Sequence, residues 1–323
     1  MFRVRLISAR LAIACAFSIS CAAQTEDPPP AWAYTTAAPG YKAPADDGTV
    51  RHVEGSTAGW TLTQLRDPFF APDWHPDEHA AMPEVVAHGR KPDVYACGYC
   101  HRAEGPGGPE NANLAGQPAA YIVAQMGDFK SGARKSSVPE LHPVSAMVGV
   151  AKAATDEEVA QAAAYFAGMK PHKRITVVET SEVPKNYVAS WVFAPLPGNE
   201  KEPIGNRIIE MPKDLEQFES RDTHSEFVAY VPPGSVEKGK KLAETGGGGK
   251  TTACAICHGK DLRGFVNVPG IAGRSPSYLM RQLYDLKSGA RRGGKSSEME
   301  KVVLDMTERE MIALSAYLAS LRP

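Results

Sequence analysis

Apolar residues recur at helical spacing in several stretches of this chain, and two of those stretches come in matched pairs. Tyr121–Ser131 and Tyr278–Ser288 place apolar side chains three to four positions apart and run into Gly132 and Gly289, the residue type that most readily closes a helix. Thr155…Glu158 and Thr307…Glu310 have capping-box spacing, Thr accepting from a backbone N–H while Glu reaches back. The helices they open are expected to run to about Met169 and Leu321. A further helix is expected over Val236–Thr245, with Pro83–Gly89 as its shorter counterpart. Between the pairs the period changes: Ile175–Val178 and Tyr187–Phe193 read as β-type runs among several prolines. No run approaches the roughly 20 apolar residues of a membrane span.

The pairing is a repeat. Leu114-Ala-Gly-Gln-Pro-Ala-Ala-Tyr121 answers to Ile271-Ala-Gly-Arg-Ser-Pro-Ser-Tyr278, and Gln125, Asp128 and Lys130-Ser-Gly-Ala-Arg134 answer to Gln282, Asp285 and Lys287-Ser-Gly-Ala-Arg291, at one offset of 157. Thr155 and Tyr165 answer to Thr307 and Tyr317 at offset 152, so the second copy has lost five residues in between. Two copies of one mainly α domain follow.

The same offset of 157 relates Cys97-Gly-Tyr-Cys100-His101 to Cys254-Ala-Ile-Cys257-His258. Cys-x-x-Cys-His is the attachment signature of c-type haem: the thiols add to the vinyl groups and the imidazole takes the iron from one side. A zinc ribbon needs its Cys pairs about 15–20 residues apart, whereas 153 residues separate Cys100 from Cys254. A thioredoxin-like dithiol has no use for the following His, and disulfides leave the paired histidines unexplained. Two covalent haem c groups are expected, one per copy, at Cys97, Cys100 and His101 and at Cys254, Cys257 and His258.

A thioether suits the second axial position of an electron-transfer haem. Single methionines are more often core filler, so the repeat has to decide. Met147 and Met299 both lie eight residues before the capping Thr, while Met306 and Met311 face Ala154 and Val159. No His follows His258 in the second copy; the first holds His142 as a rival to Met147. The iron ligands expected are therefore His101 with Met147 and His258 with Met299. Pro269 and its counterpart Ala112 are placed to offer carbonyls to the ligating imidazoles. Tyr121, Tyr278, Arg134 and Arg291 are candidates to pack on haem or meet its propionates.

With 323 residues and 43% hydrophobic content the chain suits two or three globular domains. Arg3, Arg5 and Arg10, the apolar Leu11–Ile19 and Cys21-Ala22-Ala23 read as an export leader over 1–23, which agrees with haem attachment outside the bacterial cytoplasm. Cys15 and Cys21 fall within it; Cys21 is a possible lipid anchor. The net charge of −1 hides an asymmetry: 24–82 carries 3 basic and 9 acidic residues, and 235–323 carries 15 and 9. The basic copy could steer an acidic redox partner. No motif supports nucleic-acid binding.

These features together resemble the two-haem cytochrome c4 family, over about 83–170 and 235–323. The resemblance rests on the tandem haem motifs, Leu/Ile-Ala-Gly followed by Tyr, the Gln…Asp-Phe/Leu-Lys-Ser-Gly-Ala-Arg stretch, and a Met before a helix ending Ala-Tyr-Phe or Ala-Tyr-Leu. It implies two class I cytochrome c domains facing each other, His/Met-ligated, carrying electrons in the periplasm between a dehydrogenase or cytochrome bc complex and a terminal oxidase or reductase. Three features depart from it: Ala112 stands where a Pro is expected, an acidic extension precedes the first copy, and about 64 residues separate the copies.

The organisation expected is a leader (1–23), an N-terminal extension (24–82) with Trp32, Trp60 and Trp74, a first cytochrome c domain (83–170), a partly β or irregular insert (171–234) and a second cytochrome c domain (235–323). The insert is expected to pack over the haem domains or form a docking surface. The leading function is a non-enzymatic electron carrier. Alternatives are the haem-bearing subunit of a larger dehydrogenase, or a two-haem oxidoreductase such as a thiosulfate dehydrogenase or peroxidase. The last requires an open or unusual iron site, for which the mature chain has no spare Cys.

Overall fold

The computed structural model describes residues 28–294 and 296–323; the leader over 1–23, with Cys15 and Cys21, lies outside the described residues. Helices dominate. The extension carries α1 (Leu62–Leu65), and the first repeat follows as α2 (Glu84–Ala87), α3 (Cys97–His101), α4 (Ala119–Ser131), α5 (His142–Ala153) and α6 (Asp156–Ala167). Next come β1 (Ile175–Glu179), β2 (Glu182–Pro184), β3 (Asn186–Ala189), β4 (Val192–Pro195), β5 (Lys201–Pro203), β6 (Ile209–Pro212), α7 (Leu215–Glu219) and β7 (Phe227–Val231). The second repeat is α8 (Ser235–Thr245), α9 (Ala255–His258), α10 (Pro276–Lys287), α11 (Ser296–Val303) and α12 (Glu308–Ser320).

The local signals act where the residues place them. Thr155 and Thr307 close complete capping boxes with Glu158 and Glu310, each satisfying orphan N–H groups at a helix start. Gly132 ends α4 in the left-handed region at φ 75°, which costs glycine little. α11, at 8 residues, is shorter than α5, at 12. Tyr187–Phe193, read as one run, is a hairpin: β3 pairs antiparallel with β4, and Ser190 turns the chain at φ 56°.

Each repeat has its own core. In the first, Val86, Val94, Ile122, Ala163 and Phe166 cluster; in the second, Met280, Leu283, Met306, Met311 and Ile312 do. Burying each of the larger of these side chains contributes roughly 1.5–3 kcal/mol. Gly239 lets α8 lie against α12, because a Cβ there would collide with the Ala313 carbonyl. The matching helix of the first copy, α2, is a single turn.

The inserted strands lie against both halves. β1 pairs parallel with β7, which pairs antiparallel with β6, and Ile175, Phe227 and Ala229 pack on Ala319 of α12. Glu210 of β6 is buried and accepts from Ser275 Oγ (2.7 Å) and the Ser277 amide (3.1 Å) at the start of α10, where the helix dipole favours an acceptor. The extension crosses first to the second half: Tyr34 donates to Asp285 (2.7 Å) and Arg281 to the Ala33 carbonyl (2.9 Å). It then returns to the first half, where the Ala71 amide donates to the Ala87 carbonyl at 2.8 Å, and to the insert, where Trp74 donates to the Ser220 carbonyl at 2.7 Å.

Candidate functional site

The Cys97–His101 and Cys254–His258 pentapeptides each wind into a short helical turn that sets the two cysteines and the histidine on one wall of a cavity. That cavity, of about 470 Å³, is continuous between the halves. Cys97, Cys100, His101, Cys254, Cys257 and His258 all line it, and none of these cysteines is in a disulfide.

Both imidazoles are fixed in the same way. His101 Nδ1 lies 2.8 Å from the Ala112 carbonyl, and His258 Nδ1 lies 2.8 Å from the Pro269 carbonyl. A carbonyl accepts only from N–H, so each ring is the Nδ1–H tautomer and keeps its lone pair on Nε2. Burial lowers the pKa of both histidines, which preserves that neutral form. Ala112 makes the same bond as Pro269, so the missing proline does not alter this contact. Burial pushes the Cys97 thiol up to about 12 and the Cys254 thiol up to about 11, against thiolate metal or disulfide-exchange chemistry.

Met147 on α5 and Met299 on α11 also line the cavity, whereas Met280, Met306 and Met311 are buried in the core of the second half. His142 does not line it; the ring is exposed and stacks at 5.5 Å on Trp191. Met126 on α4 does line it, a position sequence reasoning did not weigh. Its repeat counterpart is Leu283, so no thioether recurs there.

Between the two motifs lies a crossed network. Arg134 Nη2 donates to Tyr278 Oη (2.9 Å) and Gln282 Oε1 (2.8 Å), and Nη1 to Gln125 Oε1 (2.7 Å). Arg291 mirrors it: Nη2 donates to Tyr121 Oη (3.1 Å) and Gln125 Oε1 (2.9 Å), and Nη1 to Gln282 Oε1 (3.0 Å). A second exchange uses Gln117 and Arg274, which also correspond in the repeat. Gln117 gives and takes bonds with the Gly270 backbone, both at 2.9 Å, and Arg274 donates to the Ala115 and Asn113 carbonyls at 3.2 Å. Sequence reasoning named the Tyr/Arg set but not this pair, although Leu-Ala-Gly-Gln against Ile-Ala-Gly-Arg marks it.

The centre of the network is cationic. Burial opposes ionisation of Tyr121, but Arg291 and Arg134 outweigh it and draw its pKa below the ordinary value. The Nε atoms of Arg274 and Arg291 are buried without a partner. Unpaired buried donors are costly, and an anion at this site would satisfy them.

The two motifs differ in cover. Over the first, Arg221 lies 3.7 Å from the Tyr99 ring centroid and donates to the Tyr99 and Leu65 carbonyls (2.7 Å each). Arg102, held at φ 70° directly after the motif, sits over the Phe218 ring. Around the second, Ile256 is 70% exposed, Phe265 51% and Val266 79%, with Lys260, Asp261 and Arg263 also exposed.

Tandem helical domains built around Cys-x-x-Cys-His turns define a pair of class I cytochrome c folds, and the molecule is an electron-transfer haem c protein. No family model matches the chain. Among curated proteins it is 27% identical over 232 residues to the thiosulfate dehydrogenase electron acceptor of Thiomonas intermedia, covering 71% of this chain and 80% of that one. It is 25% identical over 253 residues to cytochrome c4 of Azotobacter vinelandii, covering 75% and 91%. It is 30% identical over 93 residues to the cytochrome subunit of sulfide dehydrogenase of Chlorobaculum tepidum, covering 29% of this chain and 82% of that one. Over about three quarters of its length the chain is thus similar to cytochrome c4 and to a thiosulfate dehydrogenase electron acceptor, which supports a cytochrome c4-like relationship.

Proposed function

We propose that the chain carries two covalent haem c groups, at Cys97/Cys100 and Cys254/Cys257, with His101 and Met147 as iron ligands in the first domain and His258 and Met299 in the second. It is an exported, periplasmic electron carrier rather than an enzyme, with cytochrome domains over 83–170 and 235–323. The observation that carries this reading is the matched pair of histidines. Each is locked by an Nδ1–carbonyl bond of 2.8 Å in a wall of the cavity that Met147 and Met299 also line.

The residues present fit the group. Apolar side chains such as Val150, Phe166, Leu279 and Leu314 line the cavity and exclude water. The partnerless Nε atoms of Arg274 and Arg291 suit haem propionates. Haem iron, when bound, supplies a one-electron ferric–ferrous couple. The chain holds the imidazoles neutral and oriented, offers thioethers as soft donors, and places fixed positive charge between the halves. If His101 with Met147 and His258 with Met299 held the two irons, the chain would leave a substrate no coordination position, which favours a carrier over a two-haem oxidoreductase.

Redox proteins are the partners. The open second motif, with Ile256, Phe265 and Val266 beside Lys260 and Arg263, suits an acidic partner, and the covered first motif suits an internal relay. The names of the T. intermedia and C. tepidum relatives favour a dehydrogenase as electron donor, including as a permanent complex.

Intact mass of the exported protein with haem quantification tests the stoichiometry. Two haems per chain are expected, falling to one in Cys254→Ala/Cys257→Ala; one haem in the unaltered protein would overturn the reading.

A further inference from the structure

Outside the cavity, a compact set of metal-type donors joins the extension to the inserted segment. His75 precedes the turn Pro76–Glu78 and Glu78 ends it, and Asp222 and His224 follow α7. His75 Nε2 lies 2.9 Å from Asp222 Oδ1, and His224 Nε2 lies 2.9 Å from Glu78 Oε2. The two imidazole rings stack with centroids 3.7 Å apart and planes 12° apart. One ligand atom each from His75, Glu78 and His224 lies within 4.8 Å of the others.

Asp222 is built to orient rather than to bind. It is buried, takes the His224 amide at 2.9 Å and Gln217 Nε2 at 2.7 Å, and its remaining contact is His75. A carboxylate holding one N–H of an imidazole fixes the tautomer and leaves the other nitrogen as a donor, the usual arrangement behind a metal-bound histidine. Nearby Arg174 is engaged by Glu104 at 3.9 Å.

We propose that His75, Glu78 and His224, oriented by Asp222, bind a divalent transition-metal ion of the zinc class, and that the ion fastens the extension to the insert. Two imidazoles and a carboxylate suit zinc, with the fourth position left to water. Donors around zinc at about 2.1 Å lie closer together than 4.8 Å. The Glu78 and His224 side chains, 50% and 39% exposed, are free to close that difference by rotation. The proposal does not depend on the haem ligands, since none of these residues lines the cavity.

Chelator-treated holoprotein is dialysed against Zn2+ and analysed for metal content. One zinc per chain is expected. His224→Ala and Glu78→Gln should each abolish zinc retention, with haem absorption unchanged as the check on folding, and exposed His172→Ala should bind as the unaltered protein does. Thermal melting should rise with Zn2+ in the unaltered protein and not in His224→Ala. No retained zinc, or equal retention by the unaltered protein and both variants, would overturn the proposal.

Discussion

Arg134 and Arg291 pair backbone to backbone across the two halves, and each guanidinium reaches the tyrosine of the opposite half, at 2.9 Å and 3.1 Å. Amides on either side reinforce the bridge: Lys135 N–H donates to Ala290 O at 2.9 Å and Arg292 N–H to Ala133 O at 2.7 Å. The exchange follows the sequence repeat residue for residue, so the halves meet about a pseudo-twofold axis, flanked by the buried Arg134 and the half-buried Arg291.

Those cations set the potential of whatever redox centre they flank. Removing one by Arg291→Met should lower a midpoint potential by tens of millivolts, because a nearby positive charge favours the reduced state. A unit charge at about 10 Å and an effective dielectric of about 20 contributes on the order of 1–2 kcal/mol, and 59 mV corresponds to a tenfold change for one electron. Potentiometric titration of the variant reads this directly; unchanged potentials in both haems would contradict it.

His79 gives the fold a pH dependence. Its bond to Asp73 (3.0 Å) is the largest cause raising its pKa to about 9. Because the folded value is raised above the ordinary 6.5, the stabilisation is complete below about pH 6.5 and is lost as pH rises through about 9. Melting temperature should therefore fall across that window, and Asp73→Asn should flatten the slope. An equal slope in both proteins would assign it elsewhere.

Gly239→Ala should destabilise the second half by several kcal/mol, as overpacking of a helix crossing does, since the added carbon meets the Ala313 carbonyl. Denaturant unfolding measures the loss. Wild-type stability would mean that α8 and α12 separate at little cost.

Charge reversal at Lys260 tests the docking face. Lys260→Glu should slow electron exchange with an acidic redox protein several-fold at low salt and weaken its ionic-strength dependence. Stopped-flow rates across a salt series report both; unaltered rates would move the docking face away from the second motif.

The haem motifs, the paired helices and the capping Thr residues were legible because each rests on a local rule or on the repeat. The repeat also separates Met147 and Met299, which line the cavity, from Met306 and Met311, which lie in the core. What the repeat lacks, it could not locate. Arg221 over Tyr99 and Tyr34 on Asp285 are contacts between residues more than 120 positions apart, made by segments with no counterpart in the other half. The turn at Ser190 was missed for a different reason: neither Ser190 nor Trp191 is a residue type that signals a hairpin turn.

The pairing of Met147 and Met299 with His101 and His258 is most directly tested by the long-wavelength sulfur-to-iron charge-transfer band of the oxidised protein. Its intensity should match two Met-ligated haems per chain, fall by half in Met147→Leu and in Met299→Leu, and persist undiminished in Met126→Leu. A band of half intensity in the unaltered protein, or one abolished by Met126→Leu and not by Met147→Leu, would contradict the ligand assignment and reopen an enzymatic role for the first haem.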